Sequence, residues 1–594
     1  MKYTDLNLIK YLLFDVHNLN ELLAFPKHSE FDEESINMFL DAAGDIGDQE
    51  LYPYYQDFDN NPAKYEDGGI KIHPQMGNIF KAIVESGWVG AQMDYKYGGM
   101  NMPHTIAGAI GHIYNAANNH VTGYLALTVG AANLITSFGT QEQVDKYVPK
   151  MLEAKWMGTM CLTEPEAGSS LGNLRTIATP NKDGSYAIKG QKIFISGGDH
   201  QFADNFIHMV LARIEGAPQG TRGISLFIVP KFRITDDGGL ESNDVLTAGD
   251  YQKLGQRGYC TAHLMFGEND NCKGWLVGEP NKGLKYMFQM MNQARLEVGL
   301  TAASIALAAY YHSLEYARER IQGKRLSQKG EKVFEQTAII NHPDVRRMLL
   351  MQKATSVGGL SLLFEAFKLY DLVENTEGDE KNDHFLLLDL ITPMAKAYPT
   401  EAGIVSTNNG IQVLGGYGYT LDFPQQQFAR DIRISAIYEG TTTIQALDLL
   451  GRKIPAQNGK ALLLLMEKMN NSIAKAKDID ELKEYAEDLE NGIKKIQKIL
   501  EHLLPFAFQK QYEKYLKDAT MFLEMMSLVV VSWQWLKIGI SSHKGGKYKD
   551  EFYKGNILAM KYFFEYELPK IDGLFEIIKK EDDITLMKDK DYIN

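Results

Sequence analysis

The sequence predicts an α+β protein in which a β domain interrupts an otherwise helical chain. Three observations carry this. Apolar residues recur at helical spacing over long stretches near both ends, strand-like runs are confined to about residues 159–280, and 594 residues exceed what one hydrophobic core supports. Strands clustered in the middle, rather than alternating with helices, indicate an inserted domain and not a series of βαβ units. No glycine-rich dinucleotide fingerprint follows any strand-like run, which argues against a Rossmann dehydrogenase. The expected domains are 1–158 (N-terminal helical), 159–281 (central β), 282–454 (helical bundle) and 455–594 (additional helical).

The elements follow in order. Residues 35–43 and 77–84 carry apolar side chains at helical spacing, and residues 95–102 read as a glycine–aromatic loop. A long helix dense in small residues is expected from about 105 to 138. Residues 176–179 and 186–195, joined across Asp183-Gly184, predict a hairpin. Further strands are expected over 206–214, 223–229 and 261–266. Helical spacing returns over 284–321, 342–373, with Pro343 in the first turn, 384–414 and 423–434. After the polar stretch 455–460 the helical pattern continues in Lys- and Glu-rich sequence, including 479–504 and 512–536.

Composition bounds the function. Hydrophobic content of 44% with 23% charged residues is ordinary for a soluble globular protein, and a net charge of -14 argues against a nucleic-acid surface. Three scattered cysteines, Cys161, Cys260 and Cys272, cannot form a disulfide framework, and a reducing compartment fits. Residues 1–16 lack a secretory pattern and the first arginine is Arg175, so the cytoplasm is expected. The apolar segment 525–536 is too short for a bilayer span and reads as a buried helix, so no integral membrane segment is expected.

Three segments carry candidate chemistry. Ile437-Tyr438-Glu439-Gly440-Thr441 sets one carboxylate between an apolar approach (Ile434, Ala436, Ile437, Tyr438) and a helix expected over 441–450. Poor solvation would raise the Glu439 pKa towards that of a general base working near neutrality. Alone, the pentapeptide reads equally well as a helix-capping acid on a turn. Cys161-Leu162-Thr163-Glu164-Pro165-Glu166-Ala167-Gly168-Ser169-Ser170 is a turn that leaves amides and the Thr163 and Ser169 hydroxyls for a polar ligand. Gln191 to Gly198 ends a strand in which Phe194 and Ser196 share a face, so that one could stack on a ring while the other bonds its edge.

In order and spacing these segments resemble the acyl-CoA dehydrogenase family of flavoproteins, together with Ala317-Arg318-Glu319-Arg320 and Gln412-Val413-Leu414-Gly415-Gly416-Tyr417-Gly418. The resemblance spans roughly residues 35–455. It implies a helical domain, a central β-barrel or sandwich and a C-terminal four-helix bundle, followed here by the additional helical domain. It further implies FAD as cofactor, no metal, and dehydrogenation of an acyl-CoA thioester to the trans-2-enoyl-CoA. Glu439 matches the base that removes the α-proton, with flavin N5 accepting the β-hydride.

Leu162, Thr163, Phe194, Ile195, Ser196 and Thr441 match flavin contacts, with Phe194 where the family often has Trp. Arg320 matches the arginine on the FAD pyrophosphate and Gln322 a neighbouring contact. Gln412 and Gly416 match a segment reaching the FAD of an adjacent subunit, implying at least a homodimer. Ser169, Asn292, Arg295 and Gly440 match substrate contacts, Asn292 standing where Asp is commoner. Some relatives carry their base where Ala294 stands here, and Glu297 falls on another face of that helix and reads as structural. The tail after 455 resembles that of the large bacterial members, including those acting on sulfur-containing acyl groups. Electron-transferring flavoprotein is the implied acceptor. The alternatives are an acyl-CoA oxidase using dioxygen and a catalytically silent flavin-binding scaffold.

Overall fold

The computed structural model describes residues 2–235 and 237–586. The chain forms two compact units, one of Glu30–Glu297 and one of Lys2–Ser29 with Val298–Asn594.

In the first unit, helices Glu33–Ile46 and Met76–Glu85 lie where the apolar spacing places them. Asp32 and Ser35 close a reciprocal capping box at the first of these. The expected 105–138 helix is two helices, His104–Asn118 and Thr122–Phe138. Asn118 bends its side-chain oxygen to the His120 N–H (3.2 Å), and Thr122 donates its hydroxyl to Asn115. Such local side-chain bonds compete with the helical ladder and break it.

The strands are β1 (Lys64–Glu66), β2 (Gly69–Lys71), β3 (Trp156–Cys161), β4 (Ile177–Pro180), β5 (Tyr186–Ser196), β6 (Asn205–Ile214), β7 (Ile224–Pro230), β8 (Phe232–Ile234), β9 (Leu240–Ser242), β10 (Val245–Asp250), β11 (Thr261–Phe266) and β12 (Lys273–Leu276). β1–β2 and β8–β9 are separate hairpins, and the other eight strands form one sheet. Its strands close on themselves, because β5 pairs β12, β12 pairs β7, β7 pairs β6, β6 pairs β4 and β4 pairs β5. β3 extends this ring as a parallel neighbour of β6, while β11 and β10 extend it from β5. The β4–β5 turn contains Asp183, which accepts from the Ser185 N–H, and Gly184 at φ +85°. β6 and β7 are buried on both faces, which explains their nearly unbroken apolar sequence.

The second unit is helical. Pro343–Asn375 and Gly378–Leu414 pack as an antiparallel pair joined by two residues, with Pro343 at the helix start. The part of Gly283–Glu319 that belongs to this unit approaches the second of them closely: a Cβ on Gly299 would lie 2.1 Å from the Ala395 carbonyl oxygen. Helix Ala519–Lys544 packs on Pro343–Asn375, where Gly358 leaves room for Trp535, whose Nε1 donates to the Ala354 carbonyl at 2.8 Å. Tyr512–Lys544 is apolar and long enough for a bilayer, but 83% of its most apolar window is buried, making it a core element. The amino-terminal segment joins this core. Buried Tyr11 donates to the Ile538 carbonyl at 3.0 Å, and His17 meets Glu365 (3.2 Å) and Ser361 (2.9 Å).

Candidate active site

In the first unit, the residues around Thr163 and the end of β5 form one cluster. The Ile193 N–H donates to the Thr163 carbonyl at 2.9 Å, and Lys192 Nζ donates to the Leu162 carbonyl at 3.0 Å. Fully buried Lys192 also pairs with Glu164 at 2.8 Å. Glu164 in turn accepts from the Thr176 hydroxyl (2.6 Å) and from the Arg175 and Thr176 N–H groups. Burial works against ionising Glu164, but the Lys192 ammonium and these donors outweigh it and hold its pKa below the usual carboxylate range. Burial lowers the Lys192 pKa, with the Glu164 charge opposing it. The ion pair thus ties the turn to the strand from beneath. The sequence assigns no role to this pair; the available signal is one charge in each of the two motifs, Glu164 in the turn and Lys192 in the strand.

β5 reaches its exposed tip through a bulge. Ala262 pairs Ile195 and Leu264 pairs Lys192, so two residues of β5, Ile193 and Phe194, oppose the single residue His263. The extra residue inverts the facing of all that follows. Lys192 points inward, yet Phe194, two residues on, is 56% exposed, and Ile195 is buried. Phe194 occupies left-handed backbone at φ +59°, and its ring leans on Tyr251 with centroids 4.5 Å apart. Ser196, two residues on, is half-buried, as is Thr163, whose carbonyl meets the Ile193 N–H. An aromatic face held outward at a backbone cost fits a planar ring ligand.

The other first-unit candidates lie elsewhere. Ser169 is exposed on the turn. Arg295 is buried and donates to Asn292 at 3.3 Å one helical turn away. Burial lifts the Glu297 carboxyl to about 7, with His104 opposing the shift. Among the described residues no group of three or more His, Cys, Asp or Glu side chains could hold a metal ion.

In the second unit Glu439 sits on a sharp turn. It is left-handed at φ +54°, and Gly440 follows at φ +86°. Thr441 caps helix Thr442–Asp448, its hydroxyl accepting from the Ile444 N–H at 3.3 Å. Two buried side chains hold the turn. Gln445 Nε2 donates to the carbonyls of Glu439 (3.1 Å) and Gly440 (3.3 Å). Lys396 Nζ donates to those of Ser435 (2.5 Å) and Gly440 (2.9 Å). The apolar approach differs from expectation: Ala436 is buried, but Ile437 is 51% exposed. Ile437 closes the short helical turn Arg433–Ala436 through its own N–H, which rotates its side chain outward.

Arg320 and Gln322 are exposed at the end of Gly283–Glu319, in a two-stranded ribbon where Gln322 donates its N–H to Thr337 and accepts from His342. Gln412 and Gly416 are exposed around the end of Gly378–Leu414, where Gly415 turns the chain at φ +61°. Tyr417, Tyr419 and Leu421 stand exposed beside them, Tyr419 by 85%.

Comparison with known proteins agrees with this architecture. Residues 33–155, 159–268 and 281–454 match the N-terminal, middle and C-terminal domains of acyl-CoA dehydrogenases, and 465–588 match an acetyl-CoA dehydrogenase C-terminal-like domain. A 3-methylmercaptopropionyl-CoA dehydrogenase of Ruegeria pomeroyi is 36% identical over 76% of each chain. The broad-specificity linear acyl-CoA dehydrogenase FadE5 of Mycobacterium tuberculosis is 31% identical over 97% of this chain and 98% of its own. The structure of an acyl-CoA dehydrogenase complexed with FAD from Bacillus anthracis superposes with a TM-score of 0.74 at 21% identity, covering 96% of this chain and 92% of that one. With relatives this similar along nearly its whole length, the chain belongs to the acyl-CoA dehydrogenase family of flavoprotein oxidoreductases.

Proposed function

We propose that this chain is an FAD-dependent acyl-CoA dehydrogenase in which Glu439 removes the α-proton of the thioester. The observation that carries the reading is the Glu439-Gly440 turn: a single carboxylate presented on left-handed backbone, at the position matching the family's base. An α-proton beside a thioester is weakly acidic, so the base must be aimed, and an amide N–H on the carbonyl oxygen, here that of Glu439, must stabilise the developing enolate. When bound, FAD supplies the acceptor for the β-hydride.

Phe194 offers the ring a face, Thr163 and Ser196 offer hydroxyls, and Leu162, Ile195 and Thr441 complete its contacts. Arg320 and Gln322 serve the pyrophosphate. Ser169, Asn292, Arg295 and Gly440 serve the CoA thioester. Gln412 and Gly416 reach the FAD of a second copy, and the exposed Tyr417, Tyr419 and Leu421 supply an apolar surface for that association. The protein works in the cytoplasm and passes its electrons to electron-transferring flavoprotein.

The test is anaerobic flavin bleaching by butyryl-, octanoyl-, palmitoyl- and 3-methylmercaptopropionyl-CoA. The purified protein should carry FAD and bleach with at least one of them. Glu439→Gln should retain FAD and bleach at least ~10³-fold more slowly, the order of loss for a proton-transfer group. Undiminished bleaching by that variant would overturn the reading.

A further inference from the structure

The turn that carries Glu439 is held from below by a buried cation, and this suggests a role for it that rests on Glu439 being the base. Lys396 lies within helix Gly378–Leu414 and is completely buried. Its ammonium donates to the Ser435 carbonyl, four residues before Glu439, and to the Gly440 carbonyl, one residue after it. The two bonds therefore pin both ends of the segment from which the carboxylate projects. Gln445 adds bonds to the Glu439 and Gly440 carbonyls from helix Thr442–Asp448.

Left-handed backbone at a glutamate is unfavourable unless its surroundings enforce it. Here the enforcement is visible: three carbonyls turned inward are each taken by a side-chain donor. A lysine buried away from water is costly unless its ammonium is hydrogen-bonded, and here two carbonyls accept from it. We propose that Lys396 is the positioning residue for the base. It fixes the Glu439 turn in the conformation that presents the carboxylate, with Gln445 as the second point of attachment. These bonds go to backbone carbonyls on either side of Glu439, so the effect is on the aim of the base and not on substrate affinity.

The test measures flavin bleaching per bound FAD at saturating acyl-CoA, using whichever of butyryl-, octanoyl- and palmitoyl-CoA the unaltered protein bleaches fastest. Lys396→Met should slow the saturated rate about 10²-fold, the loss expected for misplacement of about 1 Å, with the dissociation constant for acyl-CoA changed less than about threefold. Lys396→Arg, which keeps a charged donor, should recover part of the rate. A purely structural lysine would lower thermal stability and FAD content while leaving the rate per bound flavin unchanged, and that result overturns the proposal.

Should Lys396→Met fail to fold, Gln445→Leu decides. It removes the second attachment, so a saturated rate slowed at least tenfold supports the clamp and an unchanged rate overturns it. Glu439→Gln, run in parallel, separates the two readings. If that variant bleaches normally, the base assignment has failed. If only the base variant is slow and both clamp variants keep the unaltered rate, the clamp alone has failed.

Discussion

At the scale of single residues, backbone conformation limits what can stand beside the carboxylate. Gly440 at φ +86° lies where side chains are strained, and a Cβ there would sit 2.8 Å from Gln445 Nε2 and 3.2 Å from the Ile444 side chain. Gly440→Ala therefore incurs both backbone strain and displacement of the Gln445 bonds. It should destabilise the protein by ~1–3 kcal/mol, measured by urea unfolding, and slow flavin bleaching as well. This much was legible: a glutamate followed by glycine and a run of threonines announces a turn into a capped helix. Lys396 was not legible, because it stands 44 residues before Gly440 and only the folding of one helix against another brings the two together.

At the scale of elements, the turn after β3 and the tip of β5 act as one piece because Lys192 and Glu164 are paired beneath them. Removing one member of such a pair leaves the other charge buried, so Glu164→Gln should cost ~3–5 kcal/mol in urea unfolding and loosen retention of FAD. The pH dependence follows from the depressed Glu164 pKa. Its contribution is complete above the unfolded carboxylate value of about 4.3 and is lost as pH falls through the lower folded value. The β4–β5 hairpin was legible from its Asp-Gly turn. The bulge was not, since the apolar run Ile193-Phe194-Ile195 fits a regular strand as well as a bulged one, and only the register against β11 reveals the extra residue. β10, at the edge of the sheet, and β12, four residues long between β5 and β7, went unread because short strands carry little pattern of their own.

At the scale of the molecule, the second unit is held by a polar junction among distant segments. Glu365 accepts from Lys537 at 2.6 Å and meets His17 at 3.2 Å, while Lys368 donates to the His17 carbonyl at 2.8 Å. Burial, with the nearby Lys537 charge, pushes the His17 imidazole down to about 4. A histidine whose folded value lies below its unfolded value of about 6.5 stabilises fully above that pH. The contribution is lost as pH falls towards about 4, at up to about 1.4 kcal/mol per pH unit. Urea midpoints should therefore decline between pH 6.5 and 4.5, and less steeply in His17→Asn. The junction was invisible in the sequence because its members have no common pattern, only a shared interior.

That junction also sets a timetable. His17 and Lys537 are separated by 520 positions, so during synthesis the first residues of the chain wait for nearly the last before their core can close. At ~5–20 residues per second the delay is on the order of half a minute to nearly two minutes. Throughout it, the leading segment, with its apolar Leu12, Leu13 and Phe14, lacks the helix Ala519–Lys544 that completes its cover.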